Sequence, residues 1–95
     1  RHMDQTTQPG KVEILLFYTT TCGSCSAYLP LFDKAMNQYR GHADFRKIDI
    51  DKDSSLNAQY NLTAVPTTIA VKDGVVLEKR TGQLLVKEII NMTKL

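Results

Sequence analysis

The run Lys11–Tyr18, KVEILLFY, alternates little between apolar and polar side chains and is rich in Val, Ile, Leu and Phe. A strand with one wet face alternates, whereas a strand that does not is buried on both faces. The chain therefore needs a sheet covered on both sides, with this strand near its centre. In 95 residues with 42% hydrophobic content there is material for one such core and no second one. The expectation is a single α/β domain.

From Gly23 to Arg40 the apolar residues Cys25, Tyr28, Leu29, Phe32, Ala35, Met36 and Tyr39 recur at three and four, which predicts an amphipathic helix ending near Gly41. Pro30 removes a hydrogen bond to Ser26 inside that helix and predicts a bend without a break. Asp44–Ile50 alternates as a second strand, and Asp51–Asp53 is a polar turn. Ser54 or Ser55 then starts a short helix to about Tyr60. Thr67–Val71 and Val75–Arg80 read as two antiparallel strands joined by Asp73-Gly74, a two-residue type I′ signal. A last helix runs from about Leu84 to Met92, with Leu85, Val86, Ile89 and Ile90 as its apolar stripe. The order βαβ-α-ββα gives a four-stranded mixed sheet with helices on both faces.

Outside this domain, residues 1–10 read as a remnant of an expression vector (Arg1-His2-Met3) and a flexible lead-in, with 11–95 as the folded unit. No apolar run is long enough to cross a bilayer. The formal charge of +2 comes from Lys and Arg interleaved with Asp and Glu, a pattern that gives no nucleic-acid footprint.

The two cysteines stand in Thr19-Thr20-Thr21-Cys22-Gly23-Ser24-Cys25-Ser26, directly between the first strand and the first helix. They would close too short a loop to staple a domain. At a helix N-terminus the unpaired N–H groups and the positive end of the dipole favour a thiolate, so Cys22 is placed as a nucleophile. Cys25, one turn further in on the same face, is placed to attack a mixed disulfide formed at Cys22. Gly23 leaves room for a substrate backbone. Structural zinc wants four ligands, and the only histidines are His2 and His42, the latter at the far end of the helix. A Cu(I) carrier also sets Thr-Cys-x-x-Cys between a strand and a helix, but Thr20 stands here in place of the Met it often carries. Two small residues filling a helix start is the remaining reading, made awkward by the polar Thr and Ser residues alongside.

Taken in order, the strand ILLFY leading into Cys22-Gly23-Ser24-Cys25, Pro30 in the helix, Ala64-Val65-Pro66-Thr67, Lys72-Asp73-Gly74 and Gly82 before the last helix resemble the thioredoxin superfamily over residues 11–95. The resemblance implies a minimal thioredoxin fold and a redox-active Cys22/Cys25 dithiol that reduces or exchanges protein disulfides in electron transport and cell redox homeostasis. It also implies a cis Val65–Pro66 bond facing Cys22, with Gly23, Ser24, Val65, Pro66 and Thr67 receiving an extended substrate segment. Lys47 matches a lysine near the family's active-site core, although a solvated strand charge is an equal reading. Tyr18 stands where many thioredoxins have Trp.

Three departures bear on function. Thr21 replaces the Trp before the first cysteine, Ser24 replaces Pro between the cysteines, and Leu16 occupies the place of a buried Asp that helps move the proton of the second thiol. About ten residues precede the first strand, as in a glutaredoxin-sized version of the fold. The expected protein is a monomeric, cytoplasmic thiol–disulfide oxidoreductase that needs no cofactor or metal beyond its thiols. It acts on disulfide-containing proteins and takes electrons from a reductase or glutathione, without nucleic-acid or membrane partners. The alternatives are a thiolate carrier of Cu(I) or of an iron–sulfur cluster shared between two chains, and a redox-inert binding module on the same scaffold.

Overall fold

A computed structural model describes residues 10–95; residues 1–9, which hold the expected vector remnant and most of the lead-in, lie outside the described residues. Gly10 itself is tied down, its N–H donating to Asp73 Oδ1 at 3.0 Å. The elements are β1 (Val12–Tyr18), α1 (Gly23–Tyr39), β2 (Ala43–Asp49), β3 (Thr67–Lys72), β4 (Val75–Thr81) and α2 (Val86–Met92). They form one mixed sheet in the order β2-β1-β3-β4. β1 pairs in parallel with β2 and antiparallel with β3, and β3 pairs antiparallel with β4.

The position of β1 follows from its composition. Val12 through Phe17 are all buried, and alternate side chains go to opposite sides. Val12, Ile14 and Leu16 join Ala70 of β3 in one cluster, against Tyr28, Phe32 and Ala35 of α1 and Ile89 and Met92 of α2. Leu15 and Phe17 face the other way and pack with Ile48, Ile69 and Val71. Each fully buried aliphatic or aromatic side chain contributes about 1.5–3 kcal/mol relative to exposure. β4 lies at an edge and shows the consequence, with Val75, Val76 and Leu77 exposed. The Asp73-Gly74 turn has φ +52° and +83°, the two left-handed residues a type I′ hairpin requires.

Two expectations are corrected. Residues 54–60 form hydrogen-bonded turns in place of a helix, with i to i+3 bonds at Asn57 and Asn61, an i to i+4 bond at Tyr60 and a wider one from Leu62 N–H to Asn57 O. Asn61 at φ +52° closes the segment in a left-handed turn and stops helical propagation. Both regular helices therefore pack on one face of the sheet. The other face is covered by this turn segment through Leu56, Tyr60 and Leu62, with the Tyr60 ring 5.6 Å from Phe17. The second correction concerns the last helix, which starts at Val86, so that Leu84 is buried and Leu85, at the N-cap, is 59% exposed. α1 runs through Pro30 unbroken, as expected.

Candidate functional site

The carboxyl end of β1 delivers the chain, through Thr19–Thr21, to the first turn of α1. Cys22 is the N-cap of that helix, with extended backbone angles (φ −89°, ψ 116°), and its Sγ accepts the N–H of Cys25 at 3.1 Å. Sulfur thus occupies the place that a Ser or Asp oxygen takes in an ordinary cap. No acidic side chain lies in the first helical turn, so nothing there neutralises the positive end of the dipole. The Ser24 hydroxyl stands 3.4 Å from Cys22 Sγ, and Ser26 Oγ donates to the Cys22 carbonyl at 3.4 Å. Cys22 and Cys25 form a disulfide. Cys25 is 1% exposed, whereas Cys22 is partly open to solvent.

Opposite the cysteines lies the loop before β3. Its Val65–Pro66 peptide is cis, as the resemblance implied, and the Val65 carbonyl oxygen is 3.9 Å from Cys22 Sγ. The loop is held from two sides. Thr67 Oγ1 donates to Ala64 O at 2.7 Å, and Gly82 N–H donates to Pro66 O at 2.8 Å. Thr67 is itself buried, so its side chain shapes the loop from within. A β-carbon at Gly23 would meet nothing within 4 Å, which leaves the rim of the site open above the disulfide.

The remaining candidates lie on β1 and β2. Tyr18 closes β1, half-buried, in register with Asp49. Lys47 is the parallel-ladder partner of Leu16, yet its ammonium is committed to Asp33 Oδ1 at 2.8 Å on the surface, so the solvated-charge reading describes it. Leu16 has no exposed surface and sits wholly within the apolar cluster. Among the described residues no three His, Cys, Asp or Glu side chains converge as metal ligands, and no helix is long and apolar enough to cross a membrane.

One part of the site was not read from the sequence. A cleft of about 300 Å³ runs beside the Val65 loop, lined by Ile50, Asn57, Leu62, Thr63, Ala64 and Val65. Val65 is shared between this cleft and the contact with Cys22. Asn57 of the turn segment lines it, and directly before the lining residue Leu62 the Tyr60 and Asn61 carbonyls both accept from Lys79 Nζ of β4, at 2.9 and 2.7 Å. The apolar Leu62 directly before Thr63-Ala64-Val65-Pro66 was the available signal.

The arrangement pairs a partly exposed sulfur at a helix N-terminus with a buried sulfur one turn on, beneath an open backbone loop, which is what reversible disulfide exchange requires. Comparison with known proteins agrees. The Thioredoxin family model matches residues 2–94. Thioredoxin of Staphylococcus aureus is 35% identical over 71 residues, covering 75% of this chain and 68% of that protein. The crystal structure of reduced Schistosoma mansoni thioredoxin pre-protein superposes with a TM-score of 0.79 at 33% identity, over 90% of this chain and 78% of the other. Malassezia sympodialis thioredoxin gives a TM-score of 0.82 at 28% identity, over 95% and 79%. Disulfide-bearing substrates and an electron donor go with that family in general. The chain belongs to the thioredoxin family and, with its Cys22–Cys25 disulfide, is a thiol–disulfide oxidoreductase.

Proposed function

We propose that Cys22 is the attacking thiol of this protein-disulfide reductase and Cys25 the resolving one. The observation that carries the assignment is the N-cap geometry, in which Cys22 Sγ receives the Cys25 N–H at 3.1 Å at the positive end of α1. Negative charge on Cys22 is favoured there, and Cys22 is the more exposed of the two.

In the forward reaction the Cys22 thiolate attacks one sulfur of a substrate disulfide. A Cys22–substrate bond forms, and the first substrate sulfur leaves with its electron pair and takes up a proton. Cys25 then attacks Cys22 Sγ, the Cys22–substrate bond breaks, and the second substrate sulfur leaves as a thiol, so that two electrons have passed from the dithiol to the substrate. Ser24 and the Cys25 amide steady charge on Cys22. Val65 and Pro66 offer backbone to an extended substrate segment over the open edge at Gly23, and a substrate side chain beside the reacting cysteine enters the Ile50–Leu62–Val65 cleft. Thr67 holds that loop in shape, while Tyr18 and Lys47 support the sheet end and the outer face of α1. The oxidised protein is returned to the dithiol by a reductase or by glutathione, and it works as a monomer in the cytoplasm.

The test is trapping. Reduced Cys25→Ser protein incubated with a disulfide-bonded peptide should accumulate a mixed disulfide at Cys22, read by intact mass. Cys22→Ser should accumulate none, and equal adducts on both variants would refute the assignment.

A further inference from the structure

Two aspartates tie together the turns that follow β2. Asp49 Oδ1 accepts the Asp51 N–H at 3.0 Å, and Asp53 Oδ1 accepts the Ser55 N–H at 3.1 Å and the Ser55 hydroxyl at 2.6 Å. These are the ordinary local bonds of short acidic and amide side chains in turns. Asn57 departs from them. Its Oδ1 is buried and has no hydrogen-bond partner among the described residues. Its backbone needs no support from the side chain, since the N–H donates to Ser54 O at 3.1 Å and the carbonyl accepts the Leu62 N–H at 3.0 Å. An amide oxygen in this condition weakens the fold that holds it, so the side chain is not there to make the turn.

Asn57 is also part of the lining of the cleft beside the Val65 loop. Of the other lining residues, Ile50, Leu62, Ala64 and Val65 are apolar and Thr63 is exposed. The Asn57 oxygen is thus the side-chain polar atom of this lining that is withdrawn from water. With the backbone pinned on both sides, a turn about the last side-chain torsion, which is soft in Asn, presents that oxygen to an occupant.

We propose that Asn57 sets the specificity of the cleft, which takes from a disulfide substrate a neutral side chain with an apolar body and an N–H or O–H donor at its tip. This rests on the reading of the cleft as the place of a substrate side chain beside the attacked cysteine. At about 300 Å³ the cleft is at the small end of ligand pockets and has room for one such side chain. Ile50, Leu62 and Val65 cover the apolar body, and the tip donates to Asn57 Oδ1. No lining residue is charged, so a charged tip would be buried unpaired. Discrimination comes from what the wrong occupant leaves behind. A side chain of the same shape without a donor fills the cleft and shuts the Asn57 oxygen away from every partner.

The test uses substrates that differ by one donor. Disulfide-bonded peptides are made with Tyr, Phe or Gly on each side of the attacked cysteine in turn, and the second-order rate constant with fully reduced protein is measured for each. Dividing it by the rate constant with dithiothreitol removes differences in the reactivity of the disulfide itself. At one of the two positions Tyr should exceed Phe about tenfold, the scale of one hydrogen bond whose loss leaves a buried partner, and Phe should exceed Gly. Asn57→Leu, which puts an apolar side chain of similar size in the same place, should abolish or reverse the preference for Tyr over Phe and keep that for Phe over Gly. A merely structural role for Asn57 would instead lower the Tyr and Phe peptides together. Equal rates for Tyr and Phe in the wild type, with Phe still ahead of Gly, overturn the role of Asn57 alone, as does a Tyr preference that survives Asn57→Leu. Rates indifferent to all three residues at both positions overturn the reading of the cleft and the proposal together.

Discussion

The Ser24 hydroxyl lies 3.4 Å from Cys22 Sγ, within the same turn of α1 that donates the Cys25 N–H to that sulfur. A donor aimed at Cys22 interacts more strongly with a thiolate than with a disulfide sulfur, so it stabilises the reduced form and raises the reduction potential. Ser24→Ala should therefore be more reducing than the wild type by about 10–30 mV, where about 30 mV is a tenfold change in the exchange equilibrium. Ser24→Pro, which also loses the backbone N–H, should move the same way. Equilibration against glutathione buffers measures both, and an equal or higher potential in Ser24→Ala would remove Ser24 from the tuning of Cys22.

Lys79 joins β4 to the segment directly before the cleft residue Leu62 by donating to the Tyr60 and Asn61 carbonyls. Lys79→Met keeps most of the stem and loses both bonds. We expect a stability loss of about 1 kcal/mol, modest because the ammonium is solvated. Hydrogen exchange at the Leu62 amide, which is bonded to Asn57 O, should quicken more than exchange in β1. Uniform acceleration across the protein would show that Lys79 acts on global stability alone.

Stability should fall in acid partly through Glu88. Its carboxyl is held below the usual 4.5, first by the Leu85 N–H it accepts and then by the Arg80 guanidinium. A carboxylate with a depressed folded-state value stabilises the fold above its unfolded value, and that contribution disappears as pH falls through the folded value. The melting temperature should therefore drop as pH is lowered from about 5 toward 3, and Glu88→Gln should show a shallower drop over that window. Parallel curves for the two proteins would assign the acid sensitivity to other carboxylates.

The parts of this molecule that were legible in its sequence are those set by neighbouring residues. The unbroken apolar run of β1 announced its own burial, Asp73-Gly74 announced the hairpin, and the spacing of Cys22 and Cys25 placed both sulfurs on one helical turn. The segment 54–60 misled because a serine after the polar turn Asp51–Asp53 is a local signal for a helix start, although the turn chain also places Leu56 and Tyr60 four apart. Here that spacing serves a chain of turns that caps the sheet and ends at left-handed Asn61. Leu84 and Leu85 are adjacent and equally apolar, so only the start of α2 at Val86 decides which one is buried. The Lys79 clamp, the Lys47–Asp33 pair and the Tyr28–Thr68 contact join residues 14 to 40 positions apart, and no local pattern carries them.

The most direct test of the account is which sulfur is the nucleophile, read by alkylation. Fully reduced protein is treated with a limiting pulse of iodoacetamide between about pH 5 and pH 10, and the modified site is located by mass spectrometry. Cys22, at the N-cap of α1 with the Cys25 N–H directed at it, should react first, with a midpoint below the value of about 8.5 for an ordinary thiol, while buried Cys25 stays largely unmodified. Preferential labelling of Cys25, or a Cys22 midpoint at or above about 8.5, would contradict it.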